Sequence, residues 1–279
     1  KHLFCEKPFA LSLEDAQKVA AIAKEKGLLI GSAPDSFLGS SLSTCKKLID
    51  DHWIGRPLYV TLNMMTCGVE SWHPHPEHYY LWGGGPVFDM GGYYFSALVD
   101  MLGAVDSIYA VSGKGFEERV LYSPQRLGER IPAEVPTHYS AVITMKSGVI
   151  VSANFSFDIW KTTLPMFEIY GTDGTLMVPD PNMHGGVPRV YRKEQTIAPF
   201  LGGVDNGSGE PFAVPELSQN IGMYVRCLGV ADMADAIREK RRPRVNAEFA
   251  IHVLEIVIGV MKSAESGQVY KMSTGYETE

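Results

Sequence analysis

A lysine at the end of an apolar strand, and a carboxylate one helical turn ahead of a phenol, are the spacings in this sequence that could do chemistry. Lys7 stands in Cys5-Glu6-Lys7-Pro8, directly after the strand-like run His2-Leu3-Phe4-Cys5. Ligands of open α/β sheets bind beyond the carboxyl ends of strands. The Lys7 ammonium would therefore enter a cleft, where it could donate to a hydroxyl or steady an oxygen on which charge develops. Pro8 halts the strand and restricts the backbone of Lys7; the plain alternative is a surface Lys in a strand-to-helix turn. The second pattern is Gly83-Gly84-Gly85-Pro86-Val87-Phe88-Asp89-Met90-Gly91-Gly92-Tyr93-Tyr94. Its glycines allow a backbone to approach a ligand closely or to take an unusual turn. Asp89 reads as the start of a helix, and Tyr93, four residues on, shares its face. Such a pair could handle a proton if a cation lay near the phenol, since Tyr ordinarily titrates near pH 10. Otherwise Asp89 is an N-cap and Tyr93 a core aromatic.

The loop Ser71-Trp72-His73-Pro74-His75-Pro76-Glu77-His78 gathers imidazoles and a carboxylate. Its prolines would hold it extended, so that His73 and His75 could face one way. Metal ligands normally come from elements fixed by further contacts, so no metal is expected. Trp72 and His73 are expected to line a small-molecule pocket, an aromatic face packing on a ring and an imidazole reading a hydroxyl; a simply packed loop is the alternative. His252 reads as an ordinary partly buried His with some chance of reaching the cleft.

These residues need elements to hold them. Ser12-Leu13-Glu14-Asp15 is a capping box, followed by Leu13, Ala16, Val19, Ala20 and Ala23 at helical spacing and by Gly27 as a stop. Leu28–Gly31 then reads as a buried parallel strand, which makes the opening a βαβ unit. Such a unit is apolar on both faces and needs more sheet beside it. Helical spacing returns over Phe37–Asp51 and Asp89–Leu102. Strands are expected at Leu58–Thr66, Val105–Ser112, Thr137–Met145, Val149–Phe157, Met166–Gly171 and Thr175–Val178. The turns Lys146-Ser147-Gly148 and Thr172-Asp173-Gly174 make that sheet antiparallel. Pro179–Asn220 reads as a long Gly- and Pro-containing loop, and helices are expected over about Ile221–Lys240 and from the Asn246 cap to Gly267. The fold class is α/β: a remnant of a Rossmann domain (1–33), then an α+β domain (34–279) with a large, mostly antiparallel open sheet.

Glu-Lys-Pro after a strand, a capped helix, a second strand, and then Gly-Gly-Gly with Asp-x-Gly-x-Tyr before an antiparallel sheet resembles the glucose–fructose oxidoreductase, inositol dehydrogenase and rhizopine-catabolism family (Gfo/Idh/MocA), over essentially the whole chain. The resemblance implies NAD or NADP as cofactor. It implies that Lys7 contacts the nicotinamide and the reacting oxygen, that Glu6 and Pro8 complete that cofactor motif, and that the Lys7–Pro8 bond is cis. Asp89 matches the Asp of the family's Asp-x-Gly-x-His pattern. Tyr93 stands where many members have an acid–base His, so it becomes the proton donor or acceptor, with Lys7 as the cation it needs. Ser96 replaces a further Asp of the pattern, which argues against a His-based relay. The implied activity is dehydrogenation or reduction of a sugar, polyol or related cyclic alcohol. Dimerisation through the outer face of the sheet is implied as well.

The absence of an initiator Met and of any G-x-G-x-x-G after a strand leads us to expect that most of the cofactor half is missing, so that this chain binds dinucleotide poorly alone. Rival expectations are a non-catalytic sugar-binding or dimerisation module of the same fold, and a metal-dependent lyase or hydrolase centred on His73, His75 and His78. The net charge of −7 leaves no basic surface for nucleic acid. Arg238–Arg244 reads as the basic end of a helix. No apolar run approaches the roughly 20 residues that span a bilayer. Cys5, Cys45, Cys67 and Cys227 are far apart, which suits free thiols in a reducing, cytoplasmic setting.

Overall fold

The computed structural model describes residues 1–197 and 209–276. Strand β1 (Leu3–Cys5) leads through α1 (Leu13–Glu25) to β2 (Ile30–Ser32), and the strands pair in parallel with Leu3 opposite Ile30. Ser12 Oγ accepts the Asp15 N–H at 3.1 Å, and Gly27 ends the helix at φ +62°. A two-stranded sheet is marginal by itself. Here α1 seats Ala16 against Ile251 and Leu254 of the last long helix, and Gly31 bridges to Asn246.

After β2 come α2 (Ser40–Asp50), β3 (Pro57–Met65), α3 (Pro86–Leu102), β4 (Val105–Gly113), β5 (Glu118–Val120), β6 (Arg130–Pro132), β7 (His138–Met145) and β8 (Ile150–Ser156). They are followed by β9 (Phe167–Gly171), β10 (Gly174–Met177), β11 (Arg189–Arg192), α4 (Lys193–Ile197), β12 (Phe212–Ala213), α5 (Leu228–Glu239), α6 (Ala247–Ser266) and β13 (Tyr270–Lys271). Nine strands form one sheet in the order β12-β11-β10-β9-β3-β8-β7-β4-β13. Only β3 and β8 run parallel, with Val60 opposite Val151. Alternation sorts the two faces. Val60, Leu62, Ile143, Val151, Phe155 and Ile169 point inward onto α3 and α6, while Tyr59, Tyr109, Val111, Val142 and Ile150 point outward and stay exposed. Phe95 meets Phe155 at 5.2 Å between centroids, and each such buried side chain contributes about 1.5–3 kcal/mol.

Three boundaries differ from expectation. Helix α3 begins at Pro86, three residues before Asp89, because Gly85 at φ +86° turns the chain in and Pro86 needs no donor at the first helical position. Helix α5 begins at Leu228, not near Ile221. Cys227 is left-handed there (φ +68°), and the cap comes from a distance, the Gly229 N–H donating to Asp35 Oδ2 at 2.7 Å. Within the expected loop Pro179–Asn220, β11 and β12 extend the sheet edge beyond β10; Gly202 and Gly203 lie outside the described residues. The four cysteines are unpaired, and among the described residues no helix is long and apolar enough to cross a membrane.

Candidate active site

Lys7 leaves the carboxyl end of β1 and reaches the first turn of α3. Its Nζ donates to Asp89 Oδ1 at 2.8 Å and to the Asp89 carbonyl oxygen at 2.7 Å, and it lies over the Tyr93 ring, 5.1 Å from the centroid. Helical spacing brings Asp89 and Tyr93 to one face, and β1 delivers the ammonium to both. An ammonium has three protons to donate; two are engaged, and one remains for a ligand. The side chains of Lys7 and Asp89 keep 20% and 21% of their exposure, so the pair is screened from bulk water but reachable. The Lys7–Pro8 bond is cis, and so is Ala33–Pro34 after β2. Glu6 is exposed, and its Oε2 accepts the Lys7 N–H at 3.2 Å.

Lys7, Asp89 and Tyr93 form one wall of a cleft of about 640 Å³, within the roughly 300–1,000 Å³ usual for small-molecule sites. The end of β3 and the loop after it (Met64, Thr66, Cys67) supply another wall. Trp72, Tyr79, Asn182 and Arg226 complete it. Tyr79, Asn182 and Arg226 carry no readable sequence signal, because each stands in an irregular segment placed by tertiary contacts. The His184 N–H, for example, donates to the Met223 oxygen at 3.1 Å and so ties Asn182's segment to that of Arg226. Burial, with the Asp89 charge behind it, pushes the Tyr79 phenol above its usual range.

The loop 71–78 is folded, not extended. The His75 N–H donates to His73 Nδ1 at 3.1 Å, and a 3-10 turn follows at Glu77–Tyr79. Trp72 faces the cleft, but His73 sits behind it, edge-on to Trp72, His78 and Tyr79 at 5.2–5.3 Å. Among the described residues no three His, Cys, Asp or Glu side chains gather as metal ligands. The triple glycine serves the turn. Gly83 and Gly85 have positive φ, and a Cβ on Gly84 would lie 2.5 Å from the His78 carbonyl oxygen. Ser96, on α3 itself, is buried. His252 is fully buried: the Val105 N–H donates to Nε2 at 3.1 Å, and Nδ1 lies 2.8 Å from Thr274 Oγ1. Burial holds its pKa down to about 4, so it is a neutral structural imidazole remote from the cleft.

A Lys at the end of a parallel strand, paired with a carboxylate and lying over a phenol ring, gives this small-molecule cleft a polar, proton-bearing wall. The chain belongs to the Gfo/Idh/MocA family: residues 42–177 match the GFO/IDH/MocA C-terminal domain, and residues 1–33 match the oxidoreductase-family NAD-binding Rossmann fold. It is 24% identical to the 1,5-anhydro-D-fructose reductase of Ensifer adhaerens over 99% of this chain and 74% of that protein. Its fold is shared by the aldose-aldose oxidoreductase from Caulobacter crescentus complexed with glycerol (TM-score 0.73, 20% identity, 98% of this chain and 72% of that one). A super-repressor mutant of Gal80p from Saccharomyces cerevisiae also shares it (TM-score 0.78, 19% identity, 98% and 72%). The cofactor of the family is NAD or NADP. The residues present fit a site where cofactor and substrate meet, because the Lys7 ammonium keeps one proton free at the cleft.

Proposed function

We propose that this chain binds a sugar or polyol in the cleft and that Lys7, Asp89 and Tyr93 carry out its NAD(P)-dependent oxidation or the reverse reduction. The observation that carries the reading is the convergence of ammonium, carboxylate and phenol on one wall, with Asp89 taking two of the three Lys7 protons. Glu6, Lys7 and Pro8 would hold the nicotinamide end, and the cofactor, when bound, supplies the hydride acceptor or donor. Lys7 directs its remaining N–H at the substrate oxygen and holds it as carbinol becomes carbonyl. Tyr93 takes the hydroxyl proton in oxidation and returns it in reduction. Asp89 fixes the ammonium, and Trp72 offers its face to the sugar ring, with His73 as its support.

Residues 1–33 would then act as the cofactor-side unit and 34–279 as the substrate-side unit. The exposed outer face of the sheet is the surface through which copies would associate. A reducing, cytoplasmic setting suits the four free thiols. The second reading, a non-catalytic binding or dimerisation module, draws on the shared fold of Gal80p, since a fold does not fix a function. A panel of aldoses and polyols, each offered with NAD and with NADP, separates the two. Our reading predicts cofactor reduction with at least one member. Binding of a sugar without any hydride transfer would favour the module.

A further inference from the structure

The loop that follows β3 has two sides. Cys67 and Ser71 line the cleft, and they also line a slot behind it that is closed by Tyr122 and Trp160. The slot encloses about 260 Å³, below the roughly 300–1,000 Å³ of free-standing ligand pockets, so its size suits an annex of the cleft. Both of its rings are open to solvent, Trp160 at 70% and Tyr122 at 48%, and they stand edge to face with centroids 6.5 Å apart. Exposed apolar surface in a concave place marks a ligand groove more often than chance. Trp72, 64% exposed and next to Ser71, continues the row of rings into the cleft itself.

A buried cation holds all the walls of this slot. The Arg119 guanidinium is 5% exposed and is ion-paired with Glu70 and with Asp158, the latter at 2.5 Å. It also donates to the carbonyl oxygens of Cys67 at 3.0 Å and Phe157 at 2.7 Å. Cys67 and Glu70 belong to the shared loop, and Phe157 and Asp158 lead directly to Trp160. Tyr122 follows the strand that carries Arg119, and its N–H donates to the Glu70 carbonyl oxygen at 3.1 Å. A side chain that anchors three segments at once holds the backbone from which the rings project before any ligand arrives, which lowers the ordering cost of binding. Fixed, solvent-facing aromatic rings beside a hydroxyl (Ser71) suit the C–H face of a pyranose, with its hydroxyls left at the rim.

We propose that the slot is a second sugar subsite and that the preferred substrate is a glycoside of at least two rings. The reacting ring would lie at Lys7 and Tyr93, and its neighbour would pack against the exposed surfaces of Trp160 and Tyr122. This rests on the reading of the cleft as a sugar dehydrogenase site. The test compares kcat/KM of the full-length holoenzyme for monosaccharides (D-glucose, D-xylose, D-galactose) and for disaccharides built from them (cellobiose, xylobiose, lactose). The best disaccharide should exceed its monosaccharide by about tenfold or more, chiefly through KM, as loss or gain of one aromatic contact would give. Trp160→Ala should erase that advantage while leaving monosaccharide turnover within about twofold. Tyr122→Phe, which keeps the ring, should retain it, and circular dichroism should confirm that both variants fold. A wild-type enzyme that treats the two classes alike, or a preference that survives Trp160→Ala, overturns the subsite while monosaccharide turnover leaves the sugar reading standing. Turnover of no sugar at all overturns both.

Discussion

Lys7 has two acceptors, both on Asp89, and this division makes a residue-level prediction. Asp89→Asn keeps an oxygen for the ammonium, whereas Asp89→Ala removes it, so Ala should lower kcat/KM about tenfold more than Asn. Steady-state kinetics of the two variants check this, and equal losses would mean that Lys7 needs the carboxylate charge and not merely a side-chain oxygen. His252 makes another. Its folded pKa of about 4 lies below the ordinary 6.5, because the buried imidazole resists charging. Its contribution is therefore complete above pH 6.5 and is lost as pH falls from 6.5 toward 4. The stability advantage of wild type over His252→Gln, read from urea midpoints, should shrink across that window and stay constant above it. Lys7, Asp89 and Tyr93 were legible in the sequence, because a strand end and an i, i+4 spacing fix direction by backbone geometry alone. Tyr79, Asn182 and Arg226 were not, since loop side chains take their direction from partners far along the chain. The packing of the His73 ring against Trp72, His78 and Tyr79 was not legible either, for the same reason.

At the scale of elements, the capped helices were legible and the short strands were not. Ser12 and Asn246 each accept a backbone N–H three residues on, a local contact that sequence spacing encodes. Helix α5 lost its expected first turns because its cap, Asp35, lies 194 residues away in sequence. The pairs β5–β6 and β11–β12 are two to four residues long, too short for alternation to register. What holds β5 is the Arg119 network, which no local pattern announces. Arg119→Met would leave the buried Glu70 carboxylate without its cation, and Asp158 with only Thr137 Oγ1 and the Gly115 N–H, a change that costs about 3–5 kcal/mol. A urea unfolding series should show that loss; a midpoint within error of wild type would mean that the carboxylates find water or other partners.

Over the whole molecule, the fold class was legible: a parallel βαβ opening and a large antiparallel sheet follow from β-branched alternation and tight turns. The sheet's strand order was not, because the parallel β3–β8 pair joins segments separated in sequence by four strands, β4 and β7 of the same sheet and β5 and β6 of another. The inward face is covered by α3 and α6, and the outward face leaves Tyr59, Tyr109, Val111, Val142 and Ile150 in water. If copies associate there, Tyr109→Glu combined with Val142→Lys, a directly opposed pair on β4 and β7 whose charges attract, should shift sedimentation toward the monomer while circular dichroism stays native. An unchanged assembly would place the contact elsewhere.

The most direct measurement is the turnover of the best sugar or polyol substrate by Tyr93→Phe in the full-length holoenzyme, beside wild type and Lys7→Met. If Tyr93 handles the proton and Lys7 the oxygen, kcat should fall by about 10²–10⁴-fold in the Phe variant with its circular dichroism intact, and Lys7→Met should fall as well. Turnover that survives Tyr93→Phe in a folded protein would contradict the account and move the proton to another group in the cleft.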